Sequence, residues 1–236
     1  MSTSINYWLV IPAAGVGNRM QTDRPKQYLE LNGQTVIQQT LSRFETIDCI
    51  KGIVVAISET DEYWPSLDIK INKQLIVVNG GKERCLSVLN ALNALATQAD
   101  ENDWVLVHDA ARPCVPVKDI KRLIAECEKD KVGGLLAVPV QDTMKRVNDQ
   151  GRVVVTEDRS NMWHALTPQM FRLGMLRHAL EQAIESEVVV TDEASAMEYI
   201  NLSAKLVDAS ASNIKITRPE DLALAEFYLN KQGELQ

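Results

Sequence analysis

The chain has 236 residues and a formal net charge of −7, with 45% apolar and 24% charged residues. Those proportions fit a globular protein with a substantial core and set disorder aside. The acidic balance argues against a broad nucleic-acid surface, so a phosphorylated ligand would be held by a local cluster of cations working against the overall field.

Tyr7 to Ile11 is an apolar run that reads as a buried first strand. Pro12-Ala13-Ala14-Gly15-Val16-Gly17-Asn18-Arg19-Met20 follows, and then Pro25-Lys26-Gln27. Small residues let backbone approach a ligand closely, and Gly15 and Gly17 can take the positive φ angles of an anion-cradling loop. Met20 stands where a dinucleotide fingerprint needs a third Gly or Ala, and no Gly-Lys-Ser/Thr triplet marks a P-loop. On the glycines alone, an ordinary strand-to-helix turn with a surface arginine remains open. Arg19 and Lys26, arriving together after the first strand, favour a nucleotide loop.

Helical spacing of Val36, Ile37, Thr40, Leu41 and Phe44 predicts a helix from about Gln34 to Thr46. Ile50 to Ile57 reads as a strand buried on both faces, and Leu75 to Val78 as another strand. The second runs through Asn79-Gly80-Gly81-Lys82-Glu83-Arg84 into a helix carrying Leu86, Leu89, Leu92 and Leu95. Trp104 to His108 and Leu135 to Val140 are further strands, separated by a helix with Ile120, Leu123, Ile124 and Cys127 on one face. This alternation predicts one α/β domain over residues 1–236, a mostly parallel, Rossmann-like sheet flanked by helices. Ligands in such sheets bind beyond the carboxyl ends of the strands. That places the loops at Pro12 to Met20, Asn79 to Arg84 and Asp109 to Pro113 along one edge.

The alternation breaks after Val138. Thr143 to Val147, the turn Asn148-Asp149-Gln150-Gly151 and Arg152 to Thr156 predict a β-hairpin, within an inserted arm at about 139–160. Its apolar residues and open edges need cover, so the arm is expected to pack on a second copy of the chain; folding back on its own domain is the alternative. Trp163-His164-Ala165-Leu166-Thr167-Pro168-Gln169 comes next, followed by a helix with Leu173, Leu176, Leu180 and Ile184. Thr191 reads as the N-cap of a short helix, Leu206-Val207 as a short strand and Asn213 to Ile216 as the last strand. Thr217 and Glu220 have the spacing of a capping box for the final helix.

Cys49, Cys85, Cys114 and Cys127 show no paired spacing, and no signal peptide or long apolar span is read. Reduced thiols, a cytoplasmic setting and no membrane partner are therefore expected. His108, His164 and His178 lack metal-site spacing, and His108 reads as a packed strand-end residue rather than a catalyst.

The string Pro12-Ala13-Ala14-Gly15-x-Gly17-x-Arg19-Met20 with Pro25-Lys26-Gln27-Tyr28 resembles nucleotidyltransferases that join a polyol phosphate to a nucleotide. His108-Asp109-Ala110-Ala111-Arg112-Pro113 and Asn213-Ile214-Lys215-x-Thr217 extend the likeness to the 2-C-methyl-D-erythritol 4-phosphate cytidylyltransferase family over nearly the whole chain. The resemblance implies transfer of CMP from CTP to methylerythritol phosphate with release of pyrophosphate. It implies Arg19 and Lys26 as stabilisers of the α-phosphate transition state, with Arg159 and Lys215 placing the acceptor phosphate. Nucleotide contacts would fall at Pro12, Ala13, Ala14, Gly15, Gly17, Gly81, Ser87 and Ala110. Acceptor contacts would fall at Asp109, Arg112, Thr143, Thr167 and Thr191, with Thr143 and Arg159 reaching the neighbouring subunit of a homodimer. Lys82 departs from the family pattern, in which an acidic residue is frequent, and this leaves the detail of base contact open. Magnesium would be held mainly by the triphosphate, with no dedicated protein site. A transferase for another polyol phosphate, such as ribitol 5-phosphate, and a non-catalytic nucleotide-binding module are the alternatives.

Overall fold

The computed structural model describes residues 5–15 and 24–233. Its centre is a seven-stranded sheet built from β1 (Tyr7–Pro12), β4 (Ile50–Ile57), β5 (Gln74–Asn79), β6 (Trp104–Val107), β7 (Gly133–Pro139), β10 (Trp163–Arg172) and β11 (Lys205–Asp208). The spatial order is β11-β7-β10-β6-β1-β4-β5. β5, β4, β1 and β6 run parallel, β11 runs parallel to β7, and β10 lies antiparallel between β6 and β7. Two-residue strands β2 (Glu30–Leu31) and β3 (Gln34–Thr35) pair separately.

Successive strand residues point to opposite faces, and both faces are covered. Leu9 and Ile11 join one core with Ile37, Leu41 and Phe44 of α1 (Val36–Glu45) and Ile120 and Leu123 of α3 (Val117–Cys127). Trp8 and Val10 join the other with Val88 and Leu92 of α2 (Arg84–Leu95) and Leu176 and Leu180 of α4 (Leu173–Glu185). After β1 the chain builds outward through β4 and β5, then crosses back to place β6 on β1's other side. That reversal opens a crevice beyond the carboxyl ends of β1 and β6.

One element is added and three expectations are corrected. Trp163–Arg172 is a long strand not identified from the sequence, and its register shifts between Ala165 and Gln169 around Pro168, which cannot donate to a ladder. Asn213 to Ile216 is not a strand; Ile216 N–H bonds singly to Ala111 O, and the Ile216 side chain packs with Ala225 and Leu229 of α6 (Glu220–Gly233). The N-cap of α5 (Glu193–Tyr199) is Asp192, boxed with Ser195, because its carboxylate accepts from Ser195 N–H at 2.9 Å. Thr191 is therefore left outside the helix. At α6 the acid reaching back to Thr217 is Asp221, whose Oδ2 accepts from Thr217 N–H at 2.8 Å and Thr217 Oγ1 at 3.0 Å. The hairpin forms as expected, from β8 (Lys145–Val147) and β9 (Val153–Thr156), and every residue of both strands is exposed.

Candidate active site

Three segments that follow strands meet in one cleft: Pro12 to Gly15 after β1, Gly81 to Arg84 after β5, and Asp109 to Ala111 after β6. Lys26, Gln27, Ser87 and Lys215 complete its lining. A second hollow shares Arg84, Asp109 and Lys215 with the first and adds Arg112, Thr167 and Thr191. The two compartments thus have a charged wall in common.

Backbone spacing explains the first compartment. Gln27 is buried, and its Nε2 donates to the carbonyls of Ala13 at 2.8 Å and Gly15 at 3.1 Å. With those carbonyls tied back, the loop has a fixed course, which the sequence reading does not anticipate from Gln27. Gly15 is not in the left-handed region, and an added Cβ there would meet nothing within 4 Å, so the protein's own packing does not require glycine at that position. Packing does require it at Gly80, where a Cβ would sit 2.5 Å from the Ala14 Cβ and 2.9 Å from Ser87 Oγ. Ser87 is buried and accepts from Gly81 N–H at 3.0 Å, holding this turn against the start of α2. Gly17 and Arg19 lie outside the described residues.

The shared wall is an ion cluster centred on Asp109. Its Oδ1 lies 3.0 Å from Arg84 Nε; its Oδ2 lies 3.2 Å from Arg112 Nε and 2.9 Å from Lys215 Nζ. Burial alone would raise the Asp109 pKa, but the Arg84, Lys215 and Arg112 cations outweigh it and hold the carboxyl well below the usual carboxylate range. Arg84 grips a second buried carboxylate with its other two nitrogens, Nη1 to Glu193 Oε1 at 2.6 Å and Nη2 to Oε2 at 3.1 Å. Burial opposes the charge on Arg84, yet Glu193 and Asp109 prevail and hold its pKa above the ordinary value. For Arg112, burial prevails over the Asp109 contact and lowers its pKa.

Neighbouring backbone fixes this cluster in place. Arg112 Nη1 donates to Asn213 O at 2.8 Å, and Asn213 Nδ2 donates to Thr167 O at 2.7 Å. Lys26 Nζ donates to Ile216 O at 2.9 Å, so the short turn Lys26–Tyr28 and the segment carrying Lys215 are tied together. The register shift in β10 turns Thr167 toward β6, where its hydroxyl accepts from Asp109 N–H at 3.1 Å and lies 3.0 Å from His108 Nδ1. His108 is fully buried, with Nε2 3.0 Å from Arg112 O, and burial pushes its pKa down to about 4. It is a structural strand-end residue, as expected.

Of the candidate residues, the cleft and its neighbouring hollow collect Pro12, Ala13, Ala14, Gly15, Lys26, Gly81, Ser87, Asp109, Ala110, Arg112, Thr167, Thr191 and Lys215. Thr143 and Arg159 stand apart on the arm, with Arg159 Nη1 3.5 Å from Thr143 Oγ1, and neither lines the cleft. Arg84, Gln27 and Glu193 are the site residues that sequence reasoning missed. Fixed cations around a crevice lined by backbone suit a reaction between anions.

The chain is similar to known proteins in sequence and fold. A family model described as 2-C-methyl-D-erythritol 4-phosphate cytidylyltransferase matches residues 7–231. An enzyme of that name from Vibrio vulnificus (strain YJ016) is 52% identical over 225 residues, 95% of this chain and 95% of its own. One from Pseudomonas putida F1 is 54% identical over 217 residues, 92% of each. The crystal structure of the Francisella tularensis protein of the same name is 40% identical, with a TM-score of 0.82 over 94% of this chain and 99% of its own.

Proposed function

Because the chain belongs to the 2-C-methyl-D-erythritol 4-phosphate cytidylyltransferase family, we infer the following division of labour in its cleft. The enzyme is a nucleotidyltransferase of isoprenoid biosynthesis. It transfers CMP from CTP to 2-C-methyl-D-erythritol 4-phosphate, giving 4-diphosphocytidyl-2-C-methyl-D-erythritol and pyrophosphate. The observation that carries the assignment of its site is the meeting of Arg84, Arg112 and Lys215 around Asp109, with Lys26 in the lining of the same cleft, at the carboxyl ends of β1 and β6.

The acceptor phosphate attacks the α-phosphorus, a P–O bond forms to it, and the bond to the leaving pyrophosphate breaks. A phosphate monoester with a second pKa of about 6 is mostly dianionic at neutral pH, so no general base is needed. The task is to bring two anions together while charge builds on the α-phosphate and the leaving group. CTP binds along Pro12, Ala13, Ala14 and Gly15, against Gly81, Ser87 and Ala110. Gly17 is assigned to the same nucleotide contact, and Arg19 and Lys26 to stabilising the charge on the α-phosphate. The acceptor occupies the hollow of Asp109, Arg112, Thr167 and Thr191, with Lys215 steering its phosphate.

Among the described residues no three His, Cys, Asp or Glu side chains gather as a metal cage, and Asp109 is already engaged by three cations. That donor set suits magnesium carried mainly by triphosphate oxygens, with Glu83 and Asp109 as the cleft carboxylates within the lining. When bound, the ion supplies charge neutralisation across the phosphates.

The chain acts as one domain, and as a homodimer through the arm. Val153, Val154 and Val155 are 61%, 64% and 45% exposed on one strand, a patch that association would cover. Thr143 and Arg159 then serve the acceptor hollow of the neighbouring subunit. A cytoplasmic setting agrees with four cysteines that form no disulfide. The deciding assay is pyrophosphate release with CTP and methylerythritol phosphate, omitting each in turn, with ribitol 5-phosphate and the other three triphosphates in parallel. Release only with the named pair supports the assignment; release with ribitol phosphate at equal efficiency overturns it.

A further inference from the structure

Glu193 is a carboxylate at 1% exposure that lines neither compartment itself, yet it is bound by two nitrogens of a residue that lines both. Burying a charge is unfavourable even when it is paired, and an apolar pair would hold α2 against α5 equally well. Glu193 takes one N–H from each terminal nitrogen of the Arg84 fork, and this two-point grip fixes the plane of the guanidinium. Its Nε–H is left to meet a single oxygen of Asp109, at 3.0 Å. The other Asp109 oxygen thereby stays with Arg112 and Lys215.

Without Glu193 the same guanidinium could rotate and take both oxygens of Asp109 in a bidentate pair, the geometry this fork favours. Lys215 would then lose its carboxylate partner. Glu193 is itself held firmly. Gln169, which is buried, donates to Asp192 Oδ2 at 2.9 Å and accepts from Ala194 N–H at 2.8 Å, pinning both neighbours of Glu193 to β10. The same pinned stretch carries Thr191 into the acceptor hollow.

We propose that Glu193 is a positioning residue: by occupying the Arg84 fork it restricts Arg84 to one oxygen of Asp109 and keeps the other for Arg112 and Lys215, which fixes the acceptor side of the site. The inference rests on the reading that the acceptor binds at Asp109 and Lys215.

The test is a double-mutant cycle between Glu193→Gln and Asp109→Asn in the full chain. It reads the KM for methylerythritol phosphate, kcat, and CTP binding by calorimetry. Glu193→Gln is expected to raise the acceptor KM on the order of tenfold while leaving the CTP dissociation constant unchanged. In the Asp109→Asn background it should add nothing further, since its route runs through that carboxylate. A merely structural role would weaken CTP binding as well, or multiply with Asp109→Asn, and either result overturns the proposal. So does an unchanged acceptor KM in Glu193→Gln. If Asp109→Asn itself leaves the acceptor KM unchanged, the acceptor reading fails and takes this inference with it, a pattern distinct from failure of Glu193→Gln alone. Should Glu193→Gln not fold, Arg84→Lys carries the same cycle, because it keeps the charge and loses the fork; a wild-type acceptor KM there overturns the proposal equally.

Discussion

Lys215 Nζ lies 2.9 Å from Asp109 Oδ2 and so ends inside an ion cluster, although it comes from an irregular segment near the end of the chain. A lysine held this way is preorganised, because its position is set before any phosphate arrives. Lys215→Ala should lower kcat on the order of a hundredfold while the CTP dissociation constant stays near wild type. Asp109→Asn should lower it comparably by releasing all three cations at once. Steady-state kinetics on both variants checks this, and near-normal turnover in Lys215→Ala would remove the lysine from the mechanism.

The same cluster sets a direction for acid stability. The folded-state pKa of Asp109 is depressed, so its stabilisation is present above the ordinary carboxylate value near 3.8 and is lost as pH falls toward the lowered one. Asp109 therefore stays ionised throughout the pH range of ordinary assays and contributes no acid limb to a rate profile. A limb near pH 6 should instead follow the second ionisation of the acceptor phosphate. Replacing the acceptor by an analogue with a more acidic phosphate should shift that limb downward, as a pH series of kcat/KM reads directly.

Gln27 joins the sequence motif to the shape of the nucleotide loop. Its amide donates to two carbonyls, those of Ala13 and Gly15, and a glutamate in its place has no N–H to give when ionised. Gln27→Glu would also set a carboxylate against two carbonyl oxygens. The expected outcome is a rise in the CTP dissociation constant on the order of tenfold or more, with the acceptor contacts of Thr167 and Thr191 untouched. Calorimetry with CTP alone measures it.

His108 gives a second pH effect, at higher pH. Its pKa is about 4 in the folded protein because burial disfavours the imidazolium, against an ordinary value of 6.5. Above about pH 6.5 both states hold a neutral ring and pH has no leverage. Between about 6.5 and 4 the unfolded chain takes up a proton that the folded chain refuses, so stability falls as pH falls, by about 3 kcal/mol in total. Urea unfolding at pH 7, 5.5 and 4 checks the slope. His108→Gln should flatten it over this interval, at some cost in stability at pH 7.

The crevice was legible because strands buried on both faces leave continuous apolar runs, and small residues mark where backbone nears a ligand. Lys26 and Asp109 were found through the motifs that contain them. Arg84 and Glu193 were not, because each has a plausible local role: Arg84 follows a turn, and Glu193 is an acid in the first turn of a helix, where the dipole favours it. Their pairing joins α2 to α5 on one face of the sheet, a contact that no local period encodes. β10 was hidden by Pro168, and its bulge is what aims Thr167 at Asp109. The apolar alternation of Ile214 and Ile216 looked like a strand but is satisfied by packing against α6.

Arg159 and Thr143 provide the last prediction. They touch one another on the arm, at 3.5 Å, and neither lines the cleft of its own chain. If the arm serves a second copy, each site draws Lys26 from one subunit and Arg159 from the other. Arg159→Ala and Lys26→Ala homodimers should then each be nearly inactive. After exchange, a mixed dimer has one site lacking both cations and one site with both intact. With equal mixing about half the dimers are mixed and each holds one complete site of two, so activity should return to roughly a quarter of wild type. Mass spectrometry of differently tagged chains verifies the exchange. Exchange without recovery would assign Arg159 to its own subunit's chemistry or to none, and a chain that sediments as a monomer at micromolar concentration would rule out the shared site altogether.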